Sequence, residues 1–346
     1  MPGRKLYPLR FAPIYKEKVW GGRTLKVLDR ELPGNDDMPI GESWELADLN
    51  QTSISGGGGG AEHSHIQNGE LKGRTINDII KEFKSAITGT LPLTDDGSFP
   101  LLVKFLDANT NLSVQVHPNQ AYADTHADAF LKSECWYVLH AEEDAVIYKG
   151  VKEGTTEELF RQAIKEDRVE ELLITVPVKV GDCHYVPSGT CHALGAGILA
   201  AEVQTPSDTT FRVYDWGREG RELHIEPAMQ CIKFGPADTA KNEPMITTEG
   251  QSSIRTQLIE CDYFKLDRFI AKTDFTDNIN ESEPVVWMVL EGEGHFKCDA
   301  SPHVAFEKGQ TLLLPPGMSN CSVEMTAGTT WLEVTFPQAA KDNRIA

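Results

Sequence analysis

The segment SVQVHPNQ, residues 113–120, brings together side chains that could bind a metal ion. Its alternating valines predict a β-strand in which Ser113, Gln115 and His117 share one face, because neighbouring side chains of a strand point to opposite faces. The proline that follows His117 ends the predicted strand, since it has no N–H to donate. If this polar face lines a concave surface, it offers an imidazole nitrogen and an amide oxygen to a site.

Two more candidate ligands lie farther along the chain. Glu134 stands at the head of another predicted strand, and His192 ends the turn GDCHYVPSGTCH, residues 181–192. Together with Gln115 and His117 they supply two imidazoles, one carboxylate and one amide. Two histidines and a carboxylate suit zinc, with a position left open for water or substrate. The same donors could bind iron(II).

The other histidines are not expected to bind metal. His63 and His65 follow a run of five glycines, which cannot hold ligands rigidly. His184 lies in the same turn as His192 but not at its end. Structural or exposed roles are also expected for the rest, which are His126, His140, His224, His295 and His303.

Composition limits the classes of function. The chain has 346 residues, of which 40% are hydrophobic and 25% charged, as in soluble globular proteins of more than one domain. We find no apolar run long enough to span a membrane, and the N-terminus has no signal-peptide pattern. The net charge of −19 argues against nucleic acid and anionic membranes as partners. An anionic substrate would need a local group of lysines and arginines.

The cysteines indicate a reducing compartment. There are seven, an odd number, and they are scattered without a CxxC motif. We therefore expect reduced, buried cysteines that act as small hydrophobic residues. They fit the cytoplasmic localisation expected by default when neither a membrane span nor a signal-peptide pattern is found.

A repeat organises the chain. WYVLHAEEDAVI begins at Trp136 and WMVLEGEGHFKC at Trp287, and each is followed by glycine, five residues, proline, one residue, glycine, two residues and a polar side chain. The last position is His192 in the first copy and Asn320 in the second. Most of the intervening sequence reads as short β segments punctuated by proline and glycine. Two copies of one all-β unit predict two jelly-roll barrels.

This turn pattern resembles the second sequence motif of the cupin superfamily. The resemblance implies an all-β fold of two cupin-type jelly-roll barrels with short helical insertions. We expect a catalytic barrel over residues 1–235 and a second, metal-free barrel over 236–346. Helical segments are predicted near 74–89 and 155–173, and Thr75 and Asp78 fit the capping positions at the start of the first.

Seven blocks in order make a closer resemblance, to type I mannose-6-phosphate isomerases in their short bacterial form. They are KVWGG (18–22), IGESWELAD (40–48), LLVKFLDANTNLSVQVHPN (101–119), KSECWYVL (132–139), VPSGTCHALG (186–195), DTTFRVYDWGR (208–218) and GRELHIEPA (220–228).

The resemblance implies an enzyme that interconverts mannose 6-phosphate and fructose 6-phosphate with one zinc ion per chain. It carries the zinc ligands onto Gln115, His117, Glu134 and His192. It carries the catalytic arginine onto Arg212 and the phosphate-contacting residues onto Lys104 and Ser113. Lys132 and Glu202 also fall at positions of the family's pocket. The partner implied is a small sugar phosphate.

The chemistry fits these residue types. Aldose–ketose isomerisation moves a proton between two carbons through an enediol. Arg212 and Lys132 could stabilise the developing negative charge, and Lys104 and Ser113 could hold phosphate. Glu202 could be the general base. A zinc-bound hydroxide or a histidine could also serve, and Glu202 could equally be the ion-pair partner of a pocket cation.

Two alternatives to the isomerase stay open. One is a non-catalytic cupin that senses a sugar phosphate, although such a module would not need Arg212 and all four ligand positions. The other is an iron-dependent cupin oxygenase, against which stand the Gln115 ligand and the phosphate-type residues.

Overall fold

Strands make up most of the fold, as predicted for an all-β protein. The computed structural model describes residues 6–56, 58–234, 246–279, 282–299 and 301–337. The predicted domain boundary at 235/236 lies outside the described residues, so the division there stays a prediction.

The first part of the chain forms fourteen of the described strands. They are β1 (Leu9–Arg10), β2 (Ile14–Gly22), β3 (Ile40–Leu46), β4 (Asp48–Leu49), β5 (Glu62–His63), β6 (Leu102–Ala108), β7 (Val114–Val116), β8 (Glu134–Ala141), β9 (Val146–Val151), β10 (Leu173–Pro177), β11 (Cys183–Val186), β12 (His192–Leu194), β13 (Ile198–Gln204) and β14 (Phe211–Tyr214).

The remainder of the chain forms ten more of the described strands. They are β15 (Ile246–Glu249), β16 (Ser253–Glu260), β17 (Lys265–Ala271), β18 (Phe275–Ile279), β19 (Val285–Glu291), β20 (Glu293–Cys298), β21 (Ser301–Glu307), β22 (Thr311–Leu314), β23 (Cys321–Met325) and β24 (Thr330–Thr335).

The described helices are short and lie between strands. They are α1 (Ile76–Phe83), α2 (Ser85–Thr88), α3 (Gln120–Ala123), α4 (Glu157–Lys165) and α5 (Ile225–Cys231), with 3₁₀ turns at Thr24–Leu28, Gly69–Leu71 and Val169–Leu172. None of them is long and apolar enough to cross a membrane.

Helix α1 begins where its sequence predicts. The Thr75 side chain accepts a hydrogen bond from the Asp78 N–H at 3.0 Å, and the Asp78 carboxylate accepts one from the Thr75 N–H at 3.2 Å. This reciprocal capping satisfies two backbone donors that the helix itself leaves unpaired. The buried residues of the helix are Ile76, Ile79 and Ile80, together with Asn77.

Two sheets form the first barrel. One has the order β10-β9-β12-β7-β14 and the other β11-β8-β13-β6-β3-β2. The sheets face each other closely enough for the Trp136 and His192 rings to meet with centroids 5.4 Å apart. An apolar cluster that includes Leu106, Val138 and Ile147 fills part of the barrel. The mouth and the layer around His192 are left to polar side chains.

The second barrel also consists of two sheets. Their orders are β1-β22-β19-β24-β17-β16-β15 and β18-β23-β20-β21. Aromatic rings fill the space between them, with Trp287 contacting Phe296, Phe306 and Trp331 at centroid distances of 5.3, 6.1 and 5.1 Å. Where the first barrel carries polar side chains, this one has a tightly packed apolar interior.

The two barrels are joined by backbone pairing as well as by side chains. Strand β1, from the start of the chain, pairs with β22 of the second barrel, with Leu9 opposite Leu313. One continuous apolar cluster includes Leu9 and Phe105 from the first part of the chain and Phe264 and Trp287 from the second.

The cysteines depart in part from the expectation of seven reduced thiols. Cys298 and Cys321 lie directly opposite each other on β20 and β23 and form a disulfide. The expectation is wrong for these two, because a scattered sequence pattern does not reveal which strands become neighbours. The other cysteines are free, and four of them, Cys135, Cys183, Cys191 and Cys231, are buried.

Candidate functional site

Strand pairing aligns the candidate residues in two facing rows across the first barrel. In one sheet, Glu202 is in register with both Trp136 and Lys104. In the other sheet, Gln115 is in register with His192 on one side and Arg212 on the other. Residues in register on neighbouring strands share a face, so residues distant in sequence lie in one layer of the barrel.

Three of the predicted ligands converge beside these rows. The Nε2 atom of His117 lies 3.3 Å from Glu134 Oε2, and the Nε2 atom of His192 lies 3.2 Å from Glu134 Oε1. All three side chains are buried. Among the described residues, they are the group of histidine, cysteine and acidic side chains close enough to hold one metal ion.

Backbone carbonyls orient both imidazoles. His117 Nδ1 is 2.9 Å from the Thr209 carbonyl oxygen, and His192 Nδ1 is 2.8 Å from the Thr190 carbonyl oxygen. A carbonyl only accepts, so each Nδ1 carries a proton, and in the neutral ring the lone pair is then on Nε2. Metal-binding histidines typically make such a hydrogen bond through the ring nitrogen that does not bind the metal.

The buried atoms that face one another in this cluster fit a cation. Neither Nε2 atom, nor Glu134 Oε1, has a hydrogen-bond partner among the described residues, and the other carboxylate oxygen, Oε2, has an ion-pair contact with Lys132. Lone pairs of nitrogen and oxygen placed this close repel, and buried acceptors without partners are costly. A divalent ion between them would remove both penalties, so the donor set fits a metal.

The charge state of the cluster also favours a metal. Burial, with the nearby Lys132 charge, lowers the pKa of His117 to about 3, so its imidazole is neutral. Burial alone would raise the pKa of Glu134, but Lys132 and the two histidines outweigh it and hold that pKa well below its ordinary value. A neutral imidazole at His117 and an ionised carboxylate at Glu134 are the protonation states that a metal requires of these two residues.

A row of alternating positive and negative side chains extends from this cluster along the sheet that contains β8, β13, β6 and β3. Lys132 Nζ lies 2.8 Å from Glu134, and Lys104 Nζ lies 3.2 Å from Glu202 and 3.9 Å from Glu42. These carboxylates raise the pKa of Lys104 despite its burial. Burial raises the pKa of Glu202, and the Lys104 charge offsets only part of that effect.

Arg212 lies at the other end of the site. It shares a face with Gln115 and is half-buried. Two further arginines stand beside it, because Arg218 and Arg221 both pair with the buried carboxylate of Asp215, at 2.7 and 3.1 Å. Three guanidinium groups around one aspartate give this acidic protein a local excess of positive charge.

Ser113 is the remaining predicted site residue. It is buried and directly precedes β7, so it follows the alternation that places Gln115 and His117 on the inner face. The valines of the same strand, Val114 and Val116, pack into a separate apolar cluster behind the sheet. The alternation predicted from the sequence is therefore confirmed.

Glu42 was not singled out from the sequence, whereas Trp136 marked the start of the first copy of the repeat. Glu42 accepts a hydrogen bond from Trp44 Nε1 at 2.6 Å and lies 3.0 Å from Lys18. Trp136 Nε1 donates to Glu202 at 3.1 Å. The signal for Glu42 was available, because it alternates with Trp44 on one strand face, but nothing in the sequence placed that face beside Lys104.

Comparison with known proteins agrees with this geometry. Residues 9–144 match the model of the phosphomannose isomerase type I catalytic domain. Mannose-6-phosphate isomerase ManA of Bacillus subtilis is 36% identical over 324 residues, which cover 92% of this chain and 96% of the relative. The mannose-6-phosphate isomerase of Streptococcus mutans is 35% identical over 316 residues, covering 89% and 92%.

A solved structure agrees as well. The crystal structure of the mannose 6-phosphate isomerase from Bacillus subtilis superposes with a TM-score of 0.81 at 28% sequence identity, covering 95% of this chain and 99% of that one. The sequence relatives and this structure match over nearly their whole length, both barrels included. The chain therefore belongs to the type I phosphomannose isomerase family.

Proposed function

We propose that this isomerase interconverts mannose 6-phosphate and fructose 6-phosphate with one Zn²⁺ per chain, held by Gln115, His117, Glu134 and His192. The observation that carries the proposal is the buried cluster of His117, Glu134 and His192, whose inward atoms are arranged as metal donors. A neutral amide oxygen from Gln115, in register with His192, completes a donor set of nitrogen and oxygen. When bound, the ion acts as a Lewis acid toward the sugar oxygens.

The reaction needs charge stabilisation as the enediol forms. Lys132 is buried beside Glu134, and Arg212 lies in register with Gln115 on the facing sheet. Fixed cations in a site largely shielded from water stabilise developing oxyanion charge more strongly than water does. We assign this role to Lys132 and Arg212.

Proton transfer needs a base within the same layer. Glu202 is buried, accepts a hydrogen bond from Trp136 Nε1 and shares its row with Lys104. A raised pKa makes a carboxylate a stronger base than it is in water. We assign proton abstraction at the sugar carbon to Glu202, held in position by Trp136 and Lys104.

The phosphate needs cations and hydrogen-bond donors. Lys104 and Ser113 are the assigned contacts, and both are buried in the site. Lys104 already faces the carboxylates of Glu202 and Glu42. Because these carboxylates already balance the Lys104 charge, a further source of positive charge is needed to attract a dianionic substrate. The arginines around Asp215 supply it in this acidic protein.

The proposal also includes the localisation, the partners and the domain division of the enzyme. We propose a cytoplasmic protein whose partner is a small sugar phosphate, with neither nucleic acid nor membrane as a partner, in keeping with the net charge of −19. The division into a catalytic barrel over residues 1–235 and a metal-free barrel over 236–346 belongs to this proposal. In the second copy of the repeat, Asn320 stands where the first has His192.

The test is a coupled assay of mannose 6-phosphate conversion before and after chelation, with zinc or iron(II) added back. We expect activity to disappear with the metal and to return with zinc. His192→Ala should lose metal and activity together, and Asn320→Ala, at the matching position of the second copy, should lose neither.

Each other outcome has a meaning. Full activity in metal-free protein would refute the metal proposal. Recovery with iron(II) but not with zinc would refute zinc. No turnover by folded, zinc-loaded protein that still binds mannose 6-phosphate would identify a sensor instead of an enzyme.

A further inference from the structure

The backbone around Arg212 lies at the open edge of a sheet. Strand β14 is the last strand of its sheet and pairs with β7 alone among the described strands. The pairing is also irregular, because Arg212 is opposite Gln115 while Tyr214 is opposite Val114. A bulge on an edge strand can re-aim a side chain, but it leaves the backbone less firmly held than in the middle of a sheet.

The segment 222–224 supplies the contacts that a neighbouring strand would otherwise make. The N–H of His224 donates to the Arg212 carbonyl oxygen at 2.7 Å. The N–H of Arg212 donates to His224 Nδ1 at 3.2 Å. The Arg212 guanidinium donates through Nη1 to the Glu222 carbonyl oxygen at 2.6 Å. Residue 212 is thus held at its N–H, its C=O and its side chain by one short segment.

We propose that His224 is a positioning residue for Arg212, with its imidazole accepting the edge N–H so that the guanidinium stays on the sheet face that carries Gln115. The inference rests on the proposed role of Arg212 in the isomerisation. It assigns a specific task to a histidine whose sequence setting suggested only a structural or exposed role.

The protonation state of the ring agrees with this task. A backbone N–H only donates, so Nδ1 of His224 must be unprotonated to accept from it. Burial and the adjacent Arg212 charge lower the pKa of His224, which outweighs the opposite effect of Glu222. The Phe211 ring, with its centroid 6.2 Å from the imidazole, adds an apolar neighbour. The acceptor lone pair is therefore kept at neutral pH.

The test compares two substitutions at this position. His224→Leu removes the acceptor, whereas His224→Asn keeps an acceptor oxygen near the place of Nδ1. We expect His224→Leu to lower kcat about tenfold, with KM changed less than about threefold, because misplacing a catalytic group mainly affects the transition state. His224→Asn should restore kcat to within about threefold of the wild type. Zinc content should stay the same in both.

A double-mutant cycle tests whether the effect passes through Arg212. If it does, His224→Leu should lower activity little further in an Arg212→Ala background. The inference would be overturned if the activity losses of the two single variants multiplied in the double variant. It would also be overturned if His224→Leu kept the wild-type kcat, or if His224→Asn lost as much kcat as His224→Leu. If His224→Leu does not fold, His224→Ala takes its place in the cycle.

Failure of the wider proposal would look different. Full activity in the Arg212→Ala single variant would refute the proposed role of Arg212 whatever His224 does. Loss of zinc from the His224 variants would instead make the histidine part of the support of the metal site.

Discussion

At the scale of single residues, burial sets the acid–base chemistry of the first barrel. Burial lowers the pKa of His117 and raises that of Glu202, because both effects disfavour the charged form. For Glu134 the surrounding positive charge wins over burial, and its pKa falls. Two buried carboxylates of one site thus differ in character, one suited to a metal and the other to proton transfer.

Glu202→Gln tests the proposed base. Removing a general base lowers kcat by roughly 10²- to 10⁴-fold, and we expect a loss in that range. In the wild type, Glu202 must be ionised to accept a proton. Its raised pKa therefore predicts that kcat/KM falls as the pH drops, at a pH above the ordinary 4.5 of a glutamic acid.

The pH profile of the variant separates the candidates for the base. It should lack this acid limb, measured in steady-state assays between about pH 5 and 8. An unchanged limb in Glu202→Gln would exclude Glu202 and leave a metal-bound hydroxide or a histidine. Zinc content of the variant is the control, since loss of metal would also lower kcat.

At the scale of elements, the sequence predicted local structure but not the pairing of strands that are distant in sequence. The alternation in 113–117 predicted the inner face of β7, and the Thr75 and Asp78 spacing predicted the start of α1. The ligand positions beyond β7 came from the repeat and the family motifs. The alignment of Glu202 with Lys104, or of Arg212 with Gln115, depends on hydrogen bonds between strands distant in sequence. No local pattern encodes such a register.

The capping of α1 gives a test at this scale. Thr75→Ala removes the acceptor for the Asp78 N–H, and losing such a cap costs about 1 kcal/mol of unfolding free energy. Thr75→Ser keeps a hydroxyl at the same place and is the matched control. Denaturant unfolding followed by circular dichroism should show the loss for alanine and about half of it or less for serine. Equal stability of all three proteins would show that the cap contributes nothing in this fold.

At the scale of the whole molecule, β3 serves the site on one face and the second barrel on the other. Glu42 and Trp44 point towards Lys104, whereas Ser43 and Glu45 point away from it. Glu45 pairs with Arg30 through two bonds of 2.6 and 2.7 Å and accepts from the Thr311 hydroxyl at 3.4 Å. Arg30 also donates to the Gly309 carbonyl oxygen. A buried ionic network thus joins the barrels directly behind the strand that lines the site.

Glu45→Gln tests this connection, because it leaves the buried Arg30 charge without its partner. Breaking a buried ion pair in this way costs about 3–5 kcal/mol, and we expect a loss of that size in unfolding free energy. The matched control is Glu171→Gln, which breaks the pair of Glu171 with Arg168, both more than half exposed. Solvent and salt screen exposed pairs, so the control should unfold almost like the wild type.

The network should stabilise the join between the barrels without taking part in the chemistry. Folded Glu45→Gln should therefore keep its KM for mannose 6-phosphate, whereas a change in KM would mean that the pair also sets the position of Trp44. Replacing both partners, as in Arg30→Met with Glu45→Leu, removes the unpaired charge and should recover much of the lost stability. If the double variant is no more stable than Glu45→Gln, the hydrogen bonds to Gly309 and Thr311, and not the buried charge, hold the two barrels together at this point.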